Sequence, residues 1–186
     1  MFSAGRPLES IYYLEEGYAK IFRLDGNRRE TLYSIVGPSG ICGISLENGN
    51  SHLHYSASMI TDGVVRVIPP NNLAKLCTEE PRAWRLLAER EARQRASMEK
   101  RIEIFSIPDV TRRLIAVIPY LIEECRFPRE ANGSYVVPLR QSELAGFVGA
   151  SRETTSAKLN VLAKRNLLIT LRGRVVVPDL EALIRA

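Results

Sequence analysis

The sequence predicts an α+β fold, and three observations point to it. The first third alternates short β-branched and aromatic runs with Gly, Pro, Asn and Asp; the middle is a long stretch without Gly or Pro; the last third sets two short helical patterns around a glycine, followed by a basic hairpin. In chain order this reads as a β-rich region, one long helix and a winged helix-turn-helix.

Residues 11–14, 18–24, 30–36, 55–59 and 64–68 have strand composition and are bounded by turn residues. Asp25-Gly26-Asn27 is a hairpin signal, and Gly37-Pro38 stops the next strand. Short strands at near-regular spacing predict a roll, barrel or sandwich. Pro69-Pro70 ends this region, Asn71 and Asn72 are placed to cap a short helix through Cys77, and Pro81 sits where proline opens a helix.

Positions 84, 88, 91, 95, 98, 102 and 105 of the long helix advance by alternating steps of four and three. They are Trp84, Ala88, Glu91, Arg95, Met98, Ile102 and Phe105. The spacing fits a coiled-coil seam with a polar centre, and equally an amphipathic helix lying on its own β region. Length and the polar interruption favour a dimer seam, because buried polar seam positions fix register and partner number. Ile107-Pro108-Asp109 interrupts the helix and is the expected domain boundary; Asp109 is placed to cap a new helix over residues 111–124.

Residues 126–134, with Pro128, Asn132 and Gly133, read as a loop, and Tyr135-Val-Val-Pro-Leu139 as a short strand. Gln141-Ser-Glu143-Leu144-Ala145-Gly-Phe-Val148-Gly149-Ala-Ser151-Arg152-Glu153-Thr154 then reads as two helices around a glycine turn. Leu144, Ala145 and Val148 share one face, and Ser151 stands where a hydroxyl caps the second helix. An ordinary helical hairpin has the same pattern. Residues 167–171 and 175–177, joined by Arg172-Gly173-Arg174, form the hairpin, and a short helix follows Pro178-Asp179.

Charge favours the nucleic-acid reading of this stretch. Residues 1–108 hold 14 Lys or Arg against 13 Asp or Glu, and residues 109–186 hold 12 against 8, so most of the net +5 lies in the last part. Between Arg140 and Arg174 the basic residues are Arg140, Arg152, Lys158, Lys164, Arg165, Arg172 and Arg174, with only Glu143 and Glu153 opposing them. No apolar run is long enough to span a bilayer and no signal peptide is evident, so a cytoplasmic location is expected. Cys42, Cys77 and Cys125 are odd in number and widely spaced, which encodes neither a disulfide framework nor a zinc site.

The sequence resembles the Crp/Fnr family of bacterial transcription regulators over almost its whole length. The resemblance is carried by Asp109-Val-Thr111-Arg112-Arg113-Leu114 at the hinge, Gln141-Ser-Glu143-Leu-Ala145 and Gly149-Ala-Ser151-Arg152-Glu153-Thr154 in the helix-turn-helix, and Asn166-Leu-Leu-Ile169 with Arg172-Gly-Arg174-Val-Val in the wing. Ile11-Tyr-Tyr-Leu-Glu-Glu-Gly17 and Ile35-Val-Gly37-Pro38 resemble the family's roll. It implies an effector-sensing β-roll of the jelly-roll (double-stranded β-helix) type over residues 1–80, a dimerisation helix over 81–107 and a winged-helix DNA-binding domain over 108–186. Relatives carry a helix and strand ahead of the segment matching Gly5-Arg6-Pro7, so either a truncated start or an incomplete sequence is expected.

By resemblance, Arg152 and Glu153 read base edges, arginine on guanine O6/N7 and glutamate on cytosine N4, each discriminating on the order of ten- to hundred-fold, with Ser156 secondary. Arg140, Ser151, Thr154, Lys158, Arg172 and Arg174 are expected on the DNA backbone. Many relatives have an arginine where this chain has Ala157. The dimer seam is expected at Trp84, Ala88, Met98, Ile102 and Phe105. Expected partners are double-stranded DNA, a second copy, a small effector and RNA polymerase; no membrane partner, no catalytic residue and no resident metal is expected.

Effector chemistry departs from the family. Cyclic-nucleotide binders use a Gly-Glu pair for the ribose and an Arg-Ser or Arg-Thr pair for the phosphate. The matching stretches here are Ile41-Cys42-Gly43-Ile44-Ser45 and Ser51-His52-Leu53-His54-Tyr55-Ser56, with neither the glutamate nor the arginine. Cyclic AMP is therefore disfavoured, and the pocket is expected at Cys42, Gly43, Ser45, His54, Tyr55, Ser56 and Met98. His52 and His54 with Cys42 admit haem or metal, although solvent-exposed histidines are the stronger reading. Redox sensing by Cys42 and binding of a small aromatic acid, as in halogenated-phenol sensors, stay open. Two other classes compete: a cupin-like metal enzyme, which lacks the glutamate and later histidine it needs, and a signalling adaptor whose winged helix binds protein.

Overall fold

The computed structural model describes residues 1–7, 9–26, 30–44 and 53–186. Asn27 of the hairpin signal, Ser45 and His52 lie outside the described residues. Contacts group the chain into two compact units, Met1–Met98 and Glu99–Ala186.

The first unit holds β1 (Ile11–Leu14), β2 (Ala19–Leu24), β3 (Glu30–Val36), β4 (Ile41–Cys42), β5 (Ser56–Met59) and β6 (Val65–Ile68). They form two three-stranded antiparallel sheets, ordered β4-β1-β6 and β3-β2-β5. Leu14, Ala19, Ile21, Cys42 and Ala57, drawn from both sheets, make one buried core. Gly17 (φ +81°) and Gly63 let two turns meet at backbone distance, since a Cβ on Gly17 would lie 2.6 Å from the Asp62 carbonyl oxygen. The strand β4 is too short for a sequence pattern to reveal; its pairing of Tyr12 with Cys42 is a tertiary fact.

Helix α1 spans Pro70–Glu79, and here the expected Asn71/Asn72 cap is corrected. Pro70 occupies the first turn, Pro69 stands at the cap position, and no side chain caps the helix. A proline with fixed φ and no N–H to satisfy starts the helix without a capping amide. Helix α2 runs Pro81–Phe105, 25 residues.

The second unit contains the end of α2, then α3 (Val110–Glu124), β7 (Tyr135–Val137), α4 (Gln141–Val148), α5 (Arg152–Lys164), β8 (Ile169–Leu171), β9 (Arg174–Val177) and α6 (Leu180–Ile184). Asp109 caps α3, its carboxylate accepting from Arg112 N at 2.9 Å. The third sheet has the order β7-β9-β8. Its strand β7 stops at Val137, not at Leu139 as the sequence pattern suggests, because Pro138 has no N–H to give to a ladder. Leu114, Ile118, Leu121, Leu139, Leu144, Leu159, Leu162, Leu168 and Leu183 are almost wholly buried, which places one apolar core under the helix-turn-helix and the hairpin.

Candidate nucleic-acid interface and sensory lobe

Leu144, Ala145, Phe147 and Val148 of α4 turn inward, as do Thr155, Leu159 and Leu162 of α5. Burial at 155, 159 and 162 fixes the rotation of α5 about its axis and leaves Arg152 and Glu153 exposed at its N-terminus. Gly149 closes α4 in the left-handed region (φ 62°, ψ 38°) that a glycine adopts without steric cost. The Ser151 hydroxyl then caps α5, accepting from Thr154 N at 3.1 Å, and lies 2.9 Å from the Thr154 hydroxyl. At the start of α4 the Arg140 N–H donates to the Glu143 carboxylate at 2.8 Å, while Glu143 N–H donates to the Arg140 carbonyl. Glu143 is 7% exposed, so this carboxylate, one of the two opposing the basic surplus, belongs to the helix start rather than to the surface.

The sequence-predicted DNA residues divide by exposure. Arg140, Ser151, Arg152, Glu153, Thr154, Arg172 and Arg174 are exposed, whereas Ser156 and Lys158 are half-buried. The Glu153 carboxylate is held below the ordinary range by its own backbone N–H, then by the Ser151 hydroxyl and the Arg152 guanidinium. It is therefore ionised at neutral pH and acts only as an acceptor, the chemistry needed opposite an exocyclic amine. Asp109 is likewise held low, first by the Arg112 backbone N–H, with Lys158 contributing. Thr155, within this polar run, is fully buried, and its hydroxyl has no hydrogen-bond partner among the described residues.

Two stripes run along α2. Residues 83, 87, 90, 94, 97, 101 and 104 are half-buried or buried, while Trp84, Ala88, Glu91, Arg95, Met98, Ile102 and Phe105 are exposed. Exposure reaches 49% at Trp84 and 66% at Ile102. The residues of the foreseen seam spacing are thus exposed, and a second stripe one step away around the helix, which sequence reasoning did not single out, is the covered one.

In the sensory lobe, Cys42 and Gly43 are buried, Tyr55 and Ser56 half-buried, and His54 and Met98 exposed. Burial pushes the Cys42 thiol up to about 11 against the pull of the Arg90 guanidinium, and Tyr55 is raised by burial and then by Cys42. The Ser56 hydroxyl accepts from Ala4 N at 2.9 Å, and the Tyr55 ring meets Phe2 edge-on at 5.7 Å. The structure therefore joins Cys42 and Tyr55 but leaves His54 and Met98 open to solvent. Arg90, which no sequence signal singled out, reaches the Ile41 carbonyl with one guanidinium nitrogen and Glu91 with another. Among the described residues no cluster of His, Cys, Asp and Glu suits a metal ion, and no helix is long and apolar enough to cross a membrane.

Arg101 and Arg113 are the residues near the helix-turn-helix that sequence reasoning missed. Their partners are the Gly146 and Val148 carbonyls, 45 and 35 residues away, a separation that no local pattern encodes.

Comparison with known proteins agrees with this geometry. Residues 82–186 match the Crp-like helix-turn-helix domain, and residues 1–80 match the cyclic nucleotide-binding domain. The chain is 30% identical over 189 residues to the CRP-like cAMP-activated global transcriptional regulator of Mycobacterium tuberculosis, covering 100% of this chain and 83% of that protein. It is 24% identical over 177 residues to the transcriptional regulator SdrP of Thermus thermophilus, covering 95% and 83%. Among solved structures, FixK2 from Bradyrhizobium japonicum superposes with a TM-score of 0.82 at 20% identity, covering 100% of this chain and 90% of that one. TTHB099 from Thermus thermophilus also superposes at 0.82, with 24% identity and coverage of 100% and 91%. With both domain models matched in order along the chain, the protein belongs to the Crp/Fnr family of transcription regulators, a DNA-binding helix-turn-helix joined to a cyclic-nucleotide-binding-type domain.

Proposed function

We propose that this regulator works in the cytosol as a homodimer that reads a palindromic operator through α5 under control of a small effector held in the roll, and that it is not an enzyme. The observation that carries this reading is the exposed Arg152-Glu153 pair at the N-terminus of a Ser151-capped α5, in the same compact unit as a wing tipped by the exposed Arg172 and Arg174. Arg152 and Glu153 read bases with Ser156 beside them, while Arg140, Ser151, Thr154, Lys158, Arg172 and Arg174 face phosphates. The hydroxyl of Ser151 is already engaged as a cap, so its contribution to DNA is to fix the helix start.

The uncovered apolar seam of α2 supports dimerisation, with residues 1–80, 81–107 and 108–186 as sensor, dimer helix and DNA reader. Two-fold symmetry then spaces the half-sites about one helical turn apart. RNA polymerase is the partner through which such a dimer acts on transcription.

The effector is not cyclic AMP in this reading, although one relative's name describes it as cAMP-activated. Ile44 stands in the stretch where the ribose glutamate is expected, and Leu53-His54-Tyr55 supplies no arginine for a phosphate. Cys42, protonated up to strongly alkaline pH, is poorly suited to redox sensing. Selection of bound duplexes from a random pool tests the DNA reading: a palindromic product is expected, and recovery of unselected sequence would refute it. Calorimetric titration with cyclic AMP tests the effector reading, with no saturable heat expected.

A further inference from the structure

The α4–α5 turn is held from outside the helix-turn-helix. A helix end leaves its last carbonyls without intrahelical donors. In α4 two of them are taken by arginines from other helices: Gly146 O accepts from Arg101 Nη2 of α2 at 3.4 Å, and Val148 O accepts from Arg113 Nη1 of α3. The Arg101 guanidinium also lies over two rings, 4.7 Å from the Phe147 centroid and 5.3 Å from that of Phe105. Phe105 in turn presses on the turn glycine. A Cβ built on Gly149 would stand 2.4 Å from Phe105 Cε1, well inside van der Waals contact. Only Ala150 and Ser151 separate Gly149 from Arg152, so a small change of the backbone at Gly149 swings the whole start of α5.

We infer that Arg101 and Phe105, at the end of α2, are positioning residues for DNA recognition: they set the Gly149 turn and through it the approach of Arg152 and Glu153 to the bases. The inference rests on α5 being the DNA reader. Arg101 is directed at Gly146 and at two aromatic faces, so its charge serves the turn rather than a phosphate. Phe105 lies on the exposed seam stripe and on the turn at once, which makes it a point where the state of α2 reaches the recognition helix.

A double-mutant cycle on the full-length protein tests this, with binding to a selected operator and to random duplex measured for every variant. Gly149→Ala is expected to lower operator affinity about tenfold or more while random-duplex affinity stays within about twofold. The loss is expected to be at least about threefold smaller in a Phe105→Ala background, because backbone strain at φ +62° is common to both arms and cancels, leaving the clash with the ring. Additive losses would overturn the inference. Phe105→Ala is also followed by sedimentation, and loss of operator binding that merely tracks dimer dissociation counts against it.

The conservative Arg101→Lys variant and Arg101→Met provide a second route if Gly149→Ala unfolds. Both should reduce the operator-to-random affinity ratio with the salt slope unchanged; retention by lysine, or a slope lowered by about one, would make Arg101 a phosphate contact and refute the proposal. Failure of the wild-type protein to select any operator would instead refute the DNA reading itself.

Discussion

The two units bury their apolar residues very differently. Up to Met98 the buried apolar side chains among the described residues are Ile11, Leu14, Ala19, Ile21, Leu32, Cys42, Leu53, Ala57 and Cys77, several of them small; from Ile104 to Leu183 the set is more than twice as long, with leucine the commonest residue. The first unit also holds the half-buried Tyr12, Tyr13, Tyr33 and Tyr55, and Arg90 reaches the Ile41 carbonyl. The exposed Arg152 and Glu153 at the start of α5 thus stand on the larger of the two apolar cores. The difference teaches that the helix-turn-helix is supported by extensive apolar burial, whereas the β-rich unit closes on a few small side chains.

Experiments that break this contrast differ in size. The largest effect is expected from emptying the reader's core: Leu162→Ala, at a wholly buried site, should cost about 2–5 kcal/mol by denaturant unfolding and abolish operator binding. A smaller loss would mean that the second unit is less tightly packed than its burial implies. Next comes the seam. Charging it with Trp84→Lys and Ile102→Lys together should give a monomer by sedimentation and lower operator affinity about 100-fold or more, since the second half-site no longer binds as an intramolecular event.

Arg172→Ala should weaken binding to all sequences several-fold and reduce the salt slope by about one, whereas Glu153→Ala should relax a single base position. Equal losses on every mutated operator in both variants would contradict their separate roles. Thr155→Val is expected to leave DNA binding intact and raise stability by up to about 1 kcal/mol, because it removes a buried hydroxyl that lacks a partner.

The smallest effects concern pH. Burial raises the Cys42 and Cys125 thiols from 9.0 to about 11 and about 12. The folded state holds these protons after the unfolded chain has released them, so their contribution to stability is complete below pH 9 and is lost as pH rises toward 11 and 12. Thermal melts should fall over that window, more shallowly in a Cys42→Ala variant, and alkylation of both thiols at pH 7.5 should be slow. The depressed Asp109 carboxylate has the opposite sign: its cap is present above the ordinary carboxylate range and is lost only as pH falls below it.

Much of this molecule is legible in the sequence. Turn residues and alternation set the strands at residues 11–14 and 30–36, Asp109 and Ser151 announced two helix starts, Gly149 the turn, and Arg172-Gly173-Arg174 the wing. These are local signals, decided by backbone dihedrals and by hydrogen bonds within a few residues. The seam spacing was legible too, but its two interpretations were not separable, because periodicity says which residues share a face and not what covers it.

The sequence by itself therefore determined the order of the elements, the Asp109 and Ser151 caps, the basic surplus of the last part and the absence of arginine between Ser51 and Ser56. Only the tertiary structure decided that Glu143 and Thr155 turn inward, that Arg90 reaches Ile41, that the apolar stripe of α2 lies uncovered, and that Arg101, Phe105 and Arg113 hold the Gly149 turn. These contacts join residues separated by tens of positions. No local preference selects them: they form only when burial of the two cores has already brought the partners together, so their energies belong to the fold and not to any segment of the chain.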